Sequence, residues 1–95
     1  MEQKIQLLHP AGKNAVKIDT GKYNILRKAL ISVLETKGEL THKELFKSVS
    51  DYLKVNKIDF EGSVEWYLES VKLDMEAKKE IRRVGDRPPL KYALV

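Results

Sequence analysis

Two histidines and no cysteine limit the chemistry available to this chain. His9 stands before Pro10 in a turn and His42 sits at the start of a helix beside its cap, where exposure to solvent is the simplest expectation. A zinc site would need carboxylates to complete it. The missing thiols remove disulfides, thiolate metal ligands and cysteine nucleophiles together, which agrees with a reducing compartment. No glycine-rich phosphate loop, G-x-S-x-G elbow or H-E-x-x-H helix is present. The many Glu/Lys neighbours fit helix-surface pairs better than acid/base couples. The expectation is a protein that is not an enzyme, with no catalytic residue, no metal and no cofactor.

Charge and a single tryptophan are the features that remain. The net charge is +4, unevenly spread. Residues 1–37 carry seven Lys/Arg against three acids, residues 63–80 three against five, and residues 81–95 four against one. Both ends are basic and the middle is acidic. Arg82, Arg83, Arg87 and Lys91 near the C-terminus could contact phosphates without reading base sequence, as could Lys13 and Lys17 with Lys4, Lys22, Arg27 and Lys28 in the first third. The stretch "GDRPP" would present Arg87 to a minor groove. The competing reading is that these are solubilising charges or partners of the acidic segment.

These residues must be held by a small core. Ninety-five residues, 42% hydrophobic and 34% charged, fit one globular domain. No apolar run approaches the ~20 residues that cross a bilayer, and "MEQKIQLLHP" lacks the apolar stretch of a secretory signal, so the expectation is cytoplasmic with no membrane partner. "KIQLLHPAGKNAVKID" alternates Ile5, Leu7, Val16 and Ile18 around Pro10 and Gly12, which predicts an N-terminal β-hairpin. From Thr20, as N-cap, Tyr23, Leu26, Ala29, Leu30, Val33 and Leu34 recur at helical spacing until Gly38 stops the helix. Leu40 forms a short extended bridge, and Thr41 with Glu44 forms an S/T-x-x-E capping box. Leu45, Phe46, Val49, Tyr52 and Leu53 mark a second helix ending near Lys54. Ile58 and Phe60 anchor the connection to Ser63, the N-cap of a third helix whose core face is Val64, Tyr67, Leu68, Val71 and Met75. "EIRRV" and "LKYALV" then form a hairpin, with Pro88 and Pro89 in its turn because proline cannot donate to a ladder.

Hairpin, helix, short strand, two helices and a final hairpin make an α+β chain. From residue 20 onward this is the plan of a winged helix-turn-helix domain, residues 20–95, with an N-terminal β-hairpin extension over residues 1–19. "VKLDMEAKKEIRRV" resembles the end of the third helix and the first wing strand of winged-helix proteins, with Met75 and Ile81 where Leu and Ile are usual and Lys79 where a glycine is common. "KIQLLHP", "ELTHKEL", the lone Trp66, "VKLDMEAK" and a proline-containing wing together resemble a family of small, uncharacterised bacterial winged-helix proteins, a domain of unknown function. That resemblance implies a fold and no activity. Analogy to transcription regulators suggests DNA binding as an expectation only, since winged helices also serve as protein-interaction modules.

The third helix argues against ordinary groove reading. With Val64 at zero and about 100° per residue, its core residues all lie within about 60° of Val64, while Trp66, Ser70, Leu73 and Ala77 fall at roughly 180° to 240°. Glu65, Glu69 and Glu76 flank them near 100° to 140°. A carboxylate about 6 Å from a phosphate costs roughly 0.7 kcal/mol in water, and this helix has no Arg, Asn or Gln to offset it with a bidentate base contact. Either the hairpin or the Phe60 loop covers Trp66, Leu73 and Ala77 within the chain, or they form an interface for a homodimer or another protein. Two functions stay open: weak, regulatory DNA association through the basic wing and N-terminal residues, possible also as a dimer, or an interaction or homodimerisation module using the outer face of the third helix.

Overall fold

A computed structural model describes residues 3–12 and 15–95. Its elements run β1 (Lys4–Gln6), β2 (Lys17–Asp19), α1 (Thr20–Lys37), β3 (Leu40–Thr41), α2 (His42–Val55), α3 (Val64–Ala77), β4 (Ile81–Val84) and β5 (Lys91–Leu94). β1 and β2 pair antiparallel with Ile5 opposite Ile18, so the predicted hairpin is present, and Leu7 N–H extends it to the Val16 carbonyl. β3, β5 and β4 form a second antiparallel sheet in that order, with Leu40 opposite Tyr92 and Arg83 opposite Tyr92 on the other side. Three helices followed by a hairpin that recruits the short strand between the first two are the winged-helix arrangement.

The helix ends show why the chain stops and starts where it does. Thr20 is the first residue of α1, and the cap is Asp19, whose carboxylate accepts from Lys22 N–H at 3.0 Å. The sequence expectation was thus one residue late, because the aspartate has the longer reach and the stronger acceptor. Gly38, at φ 82°, returns its N–H to the Leu34 carbonyl and ends the helix. Both halves of the Thr41/Glu44 box form, at 3.2 Å and 3.0 Å. Ser63 Oγ caps α3 through Trp66 N–H at 3.2 Å.

α1 lies at the centre and packs on both α2 and α3. Leu26, Leu30, Leu45, Val49, Leu68, Val71 and Met75 are fully buried, and each large aliphatic among them contributes about 2 kcal/mol of apolar transfer. Leu7 and Ile18 of the N-terminal hairpin and Ile81 and Tyr92 of the wing join the same core. Ile58 and Phe60 pack against it as the loop anchors expected.

Two helices end on a lysine in the left-handed region. At α3, Glu80 N–H reaches back to the Met75 carbonyl and Lys79 turns the chain at φ 61°. At α2, Ile58 N–H reaches the Leu53 carbonyl and Lys57 does the same at φ 54°. Both are six-to-one closures that normally place glycine at the turning residue. Lys79 therefore makes the turn for which glycine is common, at a backbone cost of roughly 1 kcal/mol. Lys79→Gly is expected to raise stability by about 1 kcal/mol in urea unfolding with the slope unchanged. A neutral or destabilising result would show that the Lys79 side chain offsets the strain.

Candidate functional site

α3 is the element on which every candidate surface converges, so its charges decide what those surfaces are. Periodicity places its apolar core face correctly, but the structure buries two charged residues at the edges of that face. Lys72 is 2% exposed and Asp74 0%. They sit near 80° and 280° on the helical wheel, just outside the apolar arc on either side.

Asp74 is the better connected of the two. Its Oδ1 accepts from the Leu8 backbone N–H at 2.8 Å, and its Oδ2 accepts from the Tyr23 hydroxyl at 2.7 Å and from Lys78 Nζ at 3.0 Å. One carboxylate thus ties the N-terminal arm to α1 and α3. Burial, followed by the hydrogen bond to Asp74, pushes the Tyr23 hydroxyl above its usual range. Burial alone would lower the Lys78 ammonium, yet its bonds to Tyr23 and Asp74 outweigh that and leave it raised.

Lys72 works on the opposite flank. Its Nζ lies 3.0 Å from Glu69 Oε2 and 3.0 Å from His42 Nδ1, and 4.2 Å from the centre of the Tyr92 ring. His42, expected to be free beside its cap, is instead partly buried against Lys72 and Glu69. Next to this group, Arg83 Nε donates to Glu76 Oε2 at 2.6 Å, and the carboxylate holds the guanidinium above its usual range. The other Glu76 oxygen is buried without a hydrogen-bond partner among the described residues. Two of the three glutamates predicted to line the outer face therefore join wing, α2 and α3. Glu65 is exposed and in no ion pair among the described residues.

The remaining candidates divide between two sides. Arg82, Arg87 and Lys91 are exposed on the wing and make no ion pair among the described residues. Lys43, Thr41 and His42 share a cleft of about 560 Å³ with Pro88 and Pro89 at the wing tip. Lys17 is elsewhere, in a polar recess with Lys4 and Lys22 that also contains Asp19, Glu61 and Tyr67. Tyr67 and Glu69 point about 160° apart around α3, so the N-terminal and wing cations do not join into one stripe. Lys13 lies outside the described residues.

Trp66 is 49% exposed. Its ring stands edge-on to Tyr67 at 4.8 Å between centroids, and Tyr67 stands edge-on to Phe60 at 5.4 Å. The Phe60 loop thus supports the tryptophan through Tyr67 without covering it. Leu73 is half-buried in an apolar cleft of about 210 Å³, where it and Ser70 face Leu7, Leu8, Ala15 and Val16 of the N-terminal arm. Ala77 is half-buried at the far end of the face. The arm was the missing part of this site. Its apolar alternation was legible, but Leu8 lay outside that alternation and Val16, read together with Ile18, does not follow it into the core; both remain exposed beside α3.

Among the described residues no group of three or more His, Asp or Glu is placed to hold a metal ion, and no helix is long and apolar enough to cross a membrane. Asp74→Asn should cost about 3 kcal/mol by leaving buried donors poorly matched, and should raise hydrogen exchange at the Leu8 amide more than in the α1 core. The Tyr23 and Lys78 shifts give that network a pH signature. Both groups bind their protons more tightly when folded, so their stabilisation is complete below the unfolded values of 10.0 and 10.5 and is lost as pH rises through the folded ones. Urea midpoints should fall in the parent as pH rises above about 10 and stay flatter in Asp74→Asn.

No curated protein and no solved structure matches the chain. A family of unknown function, DUF6958, matches over residues 4–92, which takes in the first hairpin, all three helices and the second hairpin as far as the start of β5, and the chain belongs to that family.

Proposed function

We propose that this protein is a non-enzymatic interaction module that binds another protein through the outer face of α3 and the adjoining N-terminal arm. The exposure of Trp66 carries this reading. A large aromatic braced from behind by Tyr67 and Phe60 loses little conformational freedom on binding, which suits it to anchor an interface. Leu8, Val16 and Leu73 extend the apolar surface beside it, and the helix offers no Arg, Asn or Gln for base edges.

Site-specific photo-crosslinking in cells distinguishes the possibilities. A benzophenone amino acid at position 66 should give a discrete protein adduct, while the same group at Val55, exposed on α2, should not. Adducts with nucleic acid alone would overturn the reading.

A second reading rests on the wing. Arg82, Arg87 and Lys91 are exposed cations with no ion pair among the described residues, which supports weak phosphate contact without sequence preference, as in a DNA-associated regulator. If all three meet phosphates, fluorescence anisotropy with random duplex DNA should give a log–log salt slope of about −2.7 between ~50 and ~200 mM salt. Replacing Arg82 and Arg87 by Ala should reduce that slope to about −0.9, and Trp66→Ala should leave it unchanged. A slope near zero in the parent would remove the wing from consideration.

A further inference from the structure

We infer that the partner surface on α3 is built for a basic, amphipathic segment of another protein rather than for a second copy of this chain. The inference rests on the interaction reading above and adds the chemistry of the occupant. Residues 59–71 contain four acids, Asp59, Glu61, Glu65 and Glu69, and no Lys or Arg, within a chain of net charge +4. Glu69 is tied to Lys72 and His42. Asp59, Glu61 and Glu65 are exposed and form no ion pair among the described residues. Glu61 borders the recess that holds Lys22, so Asp59 and Glu65 are the carboxylates with the least internal compensation.

Trp66 follows Glu65 directly and is exposed beside it in the first turn of α3. Ser70 lies one turn further along the same face, and Leu73 follows it into the cleft closed on its other side by Leu8 and Val16. The surface therefore presents an aromatic anchor, an apolar groove and unpaired negative charge at one end. A helix with apolar side chains at i, i+3 or i+4, and i+7, flanked by Lys or Arg, would fill the groove and meet the acids.

A second copy fits this surface poorly. A two-fold contact centred on Trp66 would bring the two Glu65 carboxylates together, because residues beside the axis meet their own copies. A head-to-tail contact of the basic residues of α1 or β2 with the acidic face leads toward open chains wherever its rotation does not close. The charge asymmetry of the chain therefore favours a foreign basic partner.

Trp66 is the only tryptophan, so its emission reports directly on the face. Two labelled synthetic helical peptides with identical leucine positions, one with lysine and one with glutamate at the flanking positions, would be titrated into the full-length protein at ~50 and ~200 mM salt. The lysine peptide should shift Trp66 emission and bind more weakly at the higher salt, while the glutamate peptide should do neither. Label anisotropy should show Glu65→Lys weakening the lysine peptide roughly fivefold, and Trp66→Ala weakening it at least tenfold, with circular dichroism confirming that both variants fold. Equal binding of both peptides would overturn the charge assignment and leave the interaction reading intact. A dimer in sedimentation that Trp66→Ala dissociates would also overturn the inference, with a second copy as the occupant. No response to either peptide in a monomeric protein would overturn the inference, and absence of a protein crosslink at position 66 would separately overturn the reading beneath it.

Discussion

The buried carboxylate of Asp74 is the constraint on which the arrangement of the molecule depends. An aspartate with no solvent access is tolerated only when its charge is matched and its lone pairs are used, and here three donors from three parts of the chain do so. The donor from Leu8 has the largest consequence. It holds the N-terminal arm against α3 through a main-chain contact, so the arm's position depends on backbone geometry as well as on apolar packing. With the arm held there, Leu7 enters the core while Leu8 and Val16 stay at the surface beside Leu73. The groove is thus a product of the same bond that closes the fold.

Lys72 plays the corresponding role on the other flank of α3. Its ammonium is shared by Glu69, His42 and the face of the Tyr92 ring, so one side chain links α3 to the start of α2 and to the last strand of the wing. Arg83 and Glu76 add a second link between wing and helix. Much of the charge on α3 is thereby used within the fold. The outward surface keeps its tryptophan and a glutamate, Glu65, with no ion pair among the described residues, whereas the wing keeps three exposed cations. The two surfaces differ in sign and in apolar content, which is why they support different readings: a protein partner at α3 and non-specific phosphate contact at the wing.

The capping residues and the apolar periodicities were legible because each depends on neighbours within about one turn or one strand. Ser63, Gly38 and the Thr41/Glu44 box act on backbone groups three or four residues away, and Leu26, Leu30, Leu68 and Met75 repeat at the helical period. The misplaced cap of α1 was a competition between adjacent Asp19 and Thr20, which the reach of the carboxylate settled. Lys79 was visible as a departure from a common glycine, and its left-handed backbone gives that departure a physical meaning.

By itself the sequence determined the three helices, the N-caps of the second and third, the two hairpins and the absence of groove-reading side chains on the third helix, since composition and short-range spacing are sufficient for each. Only the tertiary structure decided that Asp74 and Lys72 are buried, that Arg83 is already engaged, that His42 is held against Lys72, and that Trp66 stays open while Leu73 is half covered by the arm. A charged residue at the shoulder of a helix faces either solvent or a neighbour. Which one depends on hydrogen-bond partners supplied 30 to 66 residues away, as with His42 for Lys72 and Leu8 for Asp74, and local patterning carries no information about them.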